Sequence, residues 1–183
     1  MTTLNRSIVL VGLMGTGKTT IAKMLATHFK VACLDTDKLV ELRAGKTVRE
    51  IFSHEGEDMF RSLESEVMRE CVQRRDNVVV AAAGGAVNVL STREVIQMAQ
   101  QDGRVSVVWL HAPTEVLEKR TSRGAHRPLL DEDRRGTLDR LAKERSPFYA
   151  EISDIVVDVS ERSPESVVAL IVEAIEHQME SEK

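Results

Sequence analysis

The chain alternates between two hydrophobic rhythms. Residues 78–83 are a continuous apolar run, the pattern of a strand buried on both faces, and the β-rich runs at 7–11 and 105–110 and the shorter ones at 31–34 and 155–159 also read as strands. Between them, Ile21, Ala22, Leu25, Ala26 and Phe29 recur at helical spacing and predict a helix over 19–29. Met59, Phe60, Leu63, Val67, Met68 and Cys71 predict a longer amphipathic helix over 57–75, with these side chains on its core face. Thr47 to Glu50 and Ser91 to Glu94 both have capping-box spacing and predict helix starts, the second helix running to about 101. Further helices are expected from Asp37 to Gly45, over 114–123, over 137–150, and after Ser163-Pro164, an N-cap followed by a first-turn proline. Strands alternating with helices predict an α/β fold, three α/β/α layers around a mainly parallel five-stranded sheet. Both rhythms fail between Gly124 and Gly136, so about 123–136 reads as a mobile surface segment within a single domain spanning 1–183.

Composition narrows what such a fold can do. A chain of 183 residues with 42% hydrophobic and 30% charged content is the size of one domain and can bury a core without covalent staples. Its 25 basic and 29 acidic residues leave a formal charge of -4, and 3% of residues are aromatic, so it lacks both the basic footprint and the stacking rings of a nucleic-acid binder. No apolar run approaches the roughly 18 residues of a membrane helix, and the run after Arg6 is too short for a signal peptide. Cys33 and Cys71 form no C-x-x-C pair and read as small buried hydrophobes of a reducing compartment, so a soluble, cytoplasmic monomer is expected. The five histidines show no metal-ligand spacing.

The chemistry begins at Gly12-Leu13-Met14-Gly15-Thr16-Gly17-Lys18-Thr19, which matches G-x-x-x-x-G-K-[ST] between a predicted strand and a predicted helix. Glycines let successive N–H groups turn toward a β-phosphate, the helix start adds its positive dipole end, and Lys18 reaches the β- and γ-phosphates. Gly12, Gly15, Thr16, Gly17, Lys18, Thr19 and Thr20 are the candidate ATP-binding residues, with the Thr19 hydroxyl also a magnesium ligand. The usual metal-binding aspartate at the end of a later strand is missing, because 78–83 runs straight into two glycines. Asp35-Thr36-Asp37 is the replacement, one acid turned to the metal's water shell and the other to an acceptor hydroxyl. The plainer reading of Asp37 is a helix N-cap.

Further along stand Phe60-Arg61 with Glu64, Gly84-Gly85-Ala86-Val87, Arg127-Pro128-Leu129-Leu130 and Arg145-Ser146-Pro147-Phe148-Tyr149. Following Leu34-Asp35-Thr36-Asp37 in this order and spacing, they resemble the shikimate kinases, of the nucleoside-monophosphate-kinase-like group, over nearly the whole chain. The resemblance implies a P-loop kinase fold with a mobile lid. It implies transfer of the γ-phosphoryl group of ATP to the 3-hydroxyl of shikimate, with Mg2+ as cofactor, in aromatic amino-acid biosynthesis. By the same resemblance Arg61 and Arg145 clamp the substrate carboxylate, a task suited to a guanidinium fork. Glu64 orients Arg61, Gly84 and Gly85 offer backbone N–H groups, Asp37 holds the acceptor hydroxyls and assists deprotonation, and Asp35 holds waters of the magnesium shell. Arg127, in the lid, closes over the phosphates and joins Lys18 and Asp37 as the catalytic set, while Arg120 and Arg162 flank the adenine.

Two departures from the family stand out: Ala83 replaces a usual glycine, and Asp131, Glu132 and Asp133 give the lid mixed charge. Two other readings compete. A gluconate or nucleotide kinase would share the loop, but paired arginines favour a carboxylated acceptor; a non-catalytic ATP-binding relative would be expected to lose Asp37 or one of those arginines. A guanine-nucleotide switch lacks its N-K-x-D motif.

Overall fold

The computed structural model describes residues 4–122 and 133–181. Strands β1 (Ser7–Val11), β2 (Ala32–Asp35), β3 (Val78–Ala81), β4 (Val105–His111) and β5 (Ile155–Asp158) form one sheet in the order β2-β3-β1-β4-β5, every neighbouring pair parallel. All residues of β1 and β3 are buried, which is why neither alternates; Ser7, the one polar residue, accepts from Val78 N at 3.1 Å. Helices α1 (Lys18–Phe29) and α8 (Pro164–Ser181) pack together as one layer, and α4 (Gly56–Val72), α5 (Leu90–Gln101) and α7 (Arg134–Ile152) as another. Two short helices, α2 (Thr36–Ala44) and α3 (Val48–His54), pack on α4 beside edge strand β2, and α6 (Thr114–Ser122) packs on α7. One continuous core joins the layers, from Leu25 and Ile171 through Leu10 and Val80 to Ile96 and Leu141. Among the described residues no helix is long and apolar enough to cross a membrane.

Parallel strands put their C-terminal ends on one edge, which is where ligands of open α/β sheets bind. Here β1 delivers the glycine loop, β2 delivers Asp35, and β3 delivers Ala82 to Gly85. Two hydrogen bonds tie these deliveries together: Ala82 N donates to Leu10 O at 3.0 Å, and Ala83 N donates to the buried Thr36 Oγ1 at 2.7 Å. Ala83, where the resemblance implies a glycine, is buried.

Several expectations need correcting. The core stripe of α4 is Phe60, Glu64, Val67, Met68, Cys71 and Val72, while Met59 is 47% exposed. Glu64, one turn from both Phe60 and Met68, takes a buried place that apolar spacing alone assigned to Leu63. Thr47 and Glu50 do form a capping box, but Ser91 and Glu94 do not: α5 starts at Leu90, after a 3-10 turn, Ala86–Asn88, and the extended Val89, with no side-chain cap. Arg134 to Gly136, read as the end of the lid, form the first turn of α7, because the Asp133 carboxylate caps it by accepting from Gly136 N at 2.9 Å. The remainder of the expected lid, 123–132, lies outside the described residues. Cys71 is buried as expected and its thiol is pushed up to about 11 by that burial, whereas Cys33 is only half-buried.

Candidate active site

A cavity of about 670 Å³ opens at the shared strand edge. Its donor side is the glycine loop. Gly12 leaves β1 with φ +138°, and a Cβ there would stand 2.3 Å from the Leu110 carbonyl oxygen of β4, so the turn upward between the strands demands glycine. Gly17 takes the N-cap of α1 with no side-chain bond, and Gly17, Lys18, Thr19 and Thr20 all line the cavity, so the first-turn N–H groups open onto it. Lys18 arches back over the loop, its Nζ donating to the carbonyl oxygens of Gly12 and Leu13 at 2.8 and 3.0 Å.

Thr19 Oγ1 donates to Asp35 Oδ2 at 2.9 Å, so a hydroxyl and a carboxylate sit side by side at the mouth of the loop. This donor set fits a small hard cation that keeps most of its waters and arrives on phosphate oxygens. Asp37 lines the same cavity from the first turn of α2 and is not the N-cap; that position belongs to Asp35, whose side chain makes no cap bond. The capping reading of Asp37 therefore does not describe this protein.

The acceptor side is built by α4, α7 and the loop after β3. Arg61 Nη1 donates to Glu64 Oε2 at 2.5 Å and its Nη2 to Glu57 Oε1 at 3.0 Å, so two carboxylates aim the fork. A Cβ on Gly85 would stand 2.2 Å from Arg61 Nη1, and one on Gly84 would stand 3.4 Å from Arg145 Nη1. A side chain on Gly85 would thus collide with the Arg61 guanidinium, and one on Gly84 would touch that of Arg145. Arg145 is 5% exposed, lines the cavity, and its Nε has no hydrogen-bond partner. Tyr149, fully buried one turn further along α7, donates its hydroxyl to Gly84 O at 2.6 Å, and burial pushes that phenol up to about 12.

Most sequence-predicted residues meet here: Gly15, Gly17, Lys18, Thr19, Thr20, Asp35, Asp37, Arg61, Glu64, Gly84, Gly85, Arg120 and Arg145 all line the cavity. Gly12 and Thr16 do not. Gly12 shapes the turn, and the Thr16 hydroxyl is spent on Leu13 O at 2.8 Å. Arg120 reaches the cavity while donating to Val159 O and Ser160 O. Arg162 does not line it, and its Nε is bonded to Asp158 O at 3.1 Å. Arg127 lies outside the described residues. Sequence reasoning missed Glu41, Val48 and Phe52 and took Phe60 for core alone; the two phenylalanine rings lie 4.6 Å apart and supply an apolar wall.

Glu64 carries the largest electrostatic signal of the cavity. Its carboxyl is pushed up to about 7, first by burial, with Asp37 adding to the rise and Arg61 and Arg145 opposing it. Between the ordinary 4.5 and about 7 the folded protein holds a proton that the unfolded chain has lost. The group's contribution to stability is therefore complete below about 4.5 and is lost as pH rises through about 7. Glu64→Gln removes that titration, so the melting temperature of the variant minus that of the parent is expected to climb across this window. Melting curves at closely spaced pH values check this, and a constant difference would refute it.

The family model for shikimate kinase matches residues 14–176. The chain is 41% identical over 172 residues to a shikimate kinase of Pseudomonas putida, covering 93% of this chain and 96% of that one. To a shikimate kinase of Symbiobacterium thermophilum it is 42% identical over 177 residues, covering 95% and 98%. Among solved structures, the shikimate kinase from Acinetobacter baumannii in complex with shikimate superposes with a TM-score of 0.86 at 34% identity, covering 94% of each chain. A gluconokinase from Sinorhizobium meliloti, at 18% identity and a TM-score of 0.69, shares the fold alone. A phosphate loop facing two arginines across one cavity, in a chain this similar to such relatives, makes it a member of the shikimate kinase family.

Proposed function

We propose that the residues of this cavity divide among themselves the reaction of ATP with shikimate to give ADP and shikimate 3-phosphate. The observation that carries this reading is the pair Arg61 and Arg145, each laid against one glycine of the loop opposite Lys18. Two adjacent cations select an acceptor with a carboxylate, and the wall of Phe52 and Phe60 suits one face of a carbon ring. Lys18 and the first turn of α1 hold the transferred phosphoryl group and balance the charge spreading over its oxygens. Asp37 holds the 3-hydroxyl and accepts its proton as the new oxygen–phosphorus bond forms and the bond to the ADP oxygen breaks. Thr19, and Asp35 through water, would hold magnesium, which would supply charge neutralisation on the phosphates when bound with the nucleotide. Arg120 flanks the base; Arg162 and Arg127 join the proposal from the resemblance alone. The same reading takes the whole chain as one kinase domain acting as a cytoplasmic monomer on ATP and shikimate.

A coupled ADP-release assay run in parallel with shikimate, gluconate and nucleoside monophosphates tests the acceptor, and activity is expected with shikimate alone. Arg61→Ala is expected to weaken shikimate binding by about 2 to 4 kcal/mol while leaving the KM for ATP nearly unchanged. Arg61→Lys restores little, because an ammonium cannot reproduce the fork. Equal damage to both constants in a folded variant would count against the clamp.

A further inference from the structure

Arg93, on the first turn of α5, is 7% exposed and touches no wall of the cavity. A buried guanidinium needs partners on all sides, and those it has lie on two different elements. Its Nη1 donates to Val87 O at 2.6 Å and approaches Asn88 O at 3.4 Å, both in the turn that continues from Gly84 and Gly85. Its Nε stands 3.0 Å from Glu151 Oε2 of α7, a charge pair without a hydrogen-bond angle. Its guanidinium carbon lies 4.1 Å from the ring centre of Phe148, also of α7.

Other contacts run the same way. Asn88 Nδ2 donates to Glu144 Oε1 at 3.0 Å, and Tyr149 donates to Gly84 O at 2.6 Å, so both ends of the turn are fastened to α7. The neighbour of Arg93, Thr92, shares a hydrogen bond of 2.7 Å with Ser65, the residue after Glu64 on α4. Arg93 thus stands where the loop, the helix bearing Arg145 and the helix bearing Arg61 are joined.

We propose that Arg93 is a positioning residue that fastens the Gly84 and Gly85 loop to α7 and so sets the spacing of the two guanidinium groups that receive the substrate carboxylate. This rests on the reading of Arg61 and Arg145 as that clamp. Each of them lies against one of the two glycines, so a loop that drifts from α7 changes their separation without touching the phosphate loop. Displacement by an ångström is enough to matter for a bidentate contact.

The test measures KM for shikimate, KM for ATP, kcat per folded enzyme and melting temperature for Arg93→Ala, Arg93→Lys, Glu151→Gln and, as reference, Arg145→Ala. Arg93→Ala is expected to raise the shikimate KM about tenfold or more while the ATP KM stays within about twofold. Arg93→Lys should recover part of the loss, since it keeps a cation near Phe148 and a donor for Val87 O but cannot also reach Glu151. Glu151→Gln should shift the shikimate KM in the same direction by less, and these two milder variants carry the test if Arg93→Ala does not fold. A fall in melting temperature with both constants unchanged in the folded fraction would show a merely structural residue and overturn the proposal. If Arg145→Ala raises the shikimate KM and no Arg93 or Glu151 variant does, the positioning role alone falls. If Arg145→Ala leaves it unchanged, the clamp reading falls and the positioning role falls with it.

Discussion

Lys18→Met is expected to yield a folded protein that still binds shikimate and transfers almost no phosphoryl group. The Lys18 ammonium is held at the start of α1 by the Gly12 and Leu13 carbonyl oxygens, a hydrogen-bonding reach that brings its charge across the phosphate loop. During transfer, negative charge spreads over the phosphoryl oxygens, and a fixed cation beside them is worth more than one recruited from solvent. Removing a preorganised group of this kind costs on the order of 10²- to 10³-fold in turnover. Met keeps the length and volume of the stem, and the Leu13 oxygen keeps the Thr16 hydroxyl as a donor at 2.8 Å, so stability should change by only about 1 kcal/mol. Coupled ADP release, a melting curve and shikimate titration by calorimetry together check the three parts. Turnover near the parental value in a folded variant would remove Lys18 from the phosphate site.

Asp37→Asn is expected to lower turnover by about 10²-fold or more with little change in melting temperature. Asparagine retains the size of the side chain and loses its charge and its capacity to take a proton. The residue lies in the first turn of α2, where a carboxylate interacts favourably with the helix end by roughly 0.3 to 1 kcal/mol, and that sets the scale of the stability cost. Asp35→Asn has a different signature. Its Oδ2 accepts from Thr19 Oγ1, so its defect should appear as a higher magnesium requirement rather than as a lost proton acceptor. Magnesium titrations and melting curves on both variants separate the roles; matching defects in the two would mean that the acids act as one unit.

What could be read from the chain beforehand follows the locality of each signal. The donor side was legible because a buried parallel strand, a glycine turn and a helix start are consecutive, and each is governed by its own residues. The edges of elements were less legible. Ser91 and Glu94 have the spacing of a cap, yet α5 begins one residue earlier, at Leu90, after the extended Val89, so both fall inside the helix. Gly136 has the look of a terminator, yet its N–H is the one that the Asp133 carboxylate caps. On the acceptor side Arg61, Glu64 and Arg145 were found only through a resemblance, because they come from helices that meet in space and share no local pattern. Phe60 reads as core, which it is, but its share in the cavity wall is not visible in the sequence, and Phe52 carries no reading at all. An aromatic ring at helical spacing belongs to the core by default, and only the packing of α3 on α4 turns both toward the cavity.

The bonds from Ala82 N to Leu10 O and from Ala83 N to Thr36 Oγ1 have a mechanical consequence. The donor loop leaves β1 and the acceptor loop leaves β3, and these strands are immediate neighbours in the sheet, their separation set by the roughly 4.8 Å repeat of the backbone ladder. The spacing of these two loops is therefore gauged by the sheet itself. The proposed clamp residues Arg61 and Arg145 ride on α4 and α7 outside the sheet, and α7 is bonded back to the second loop at Gly84 O and Asn88. A shift of α7 would therefore be felt by the loop after β3, whereas the glycine loop would keep its place at the end of β1.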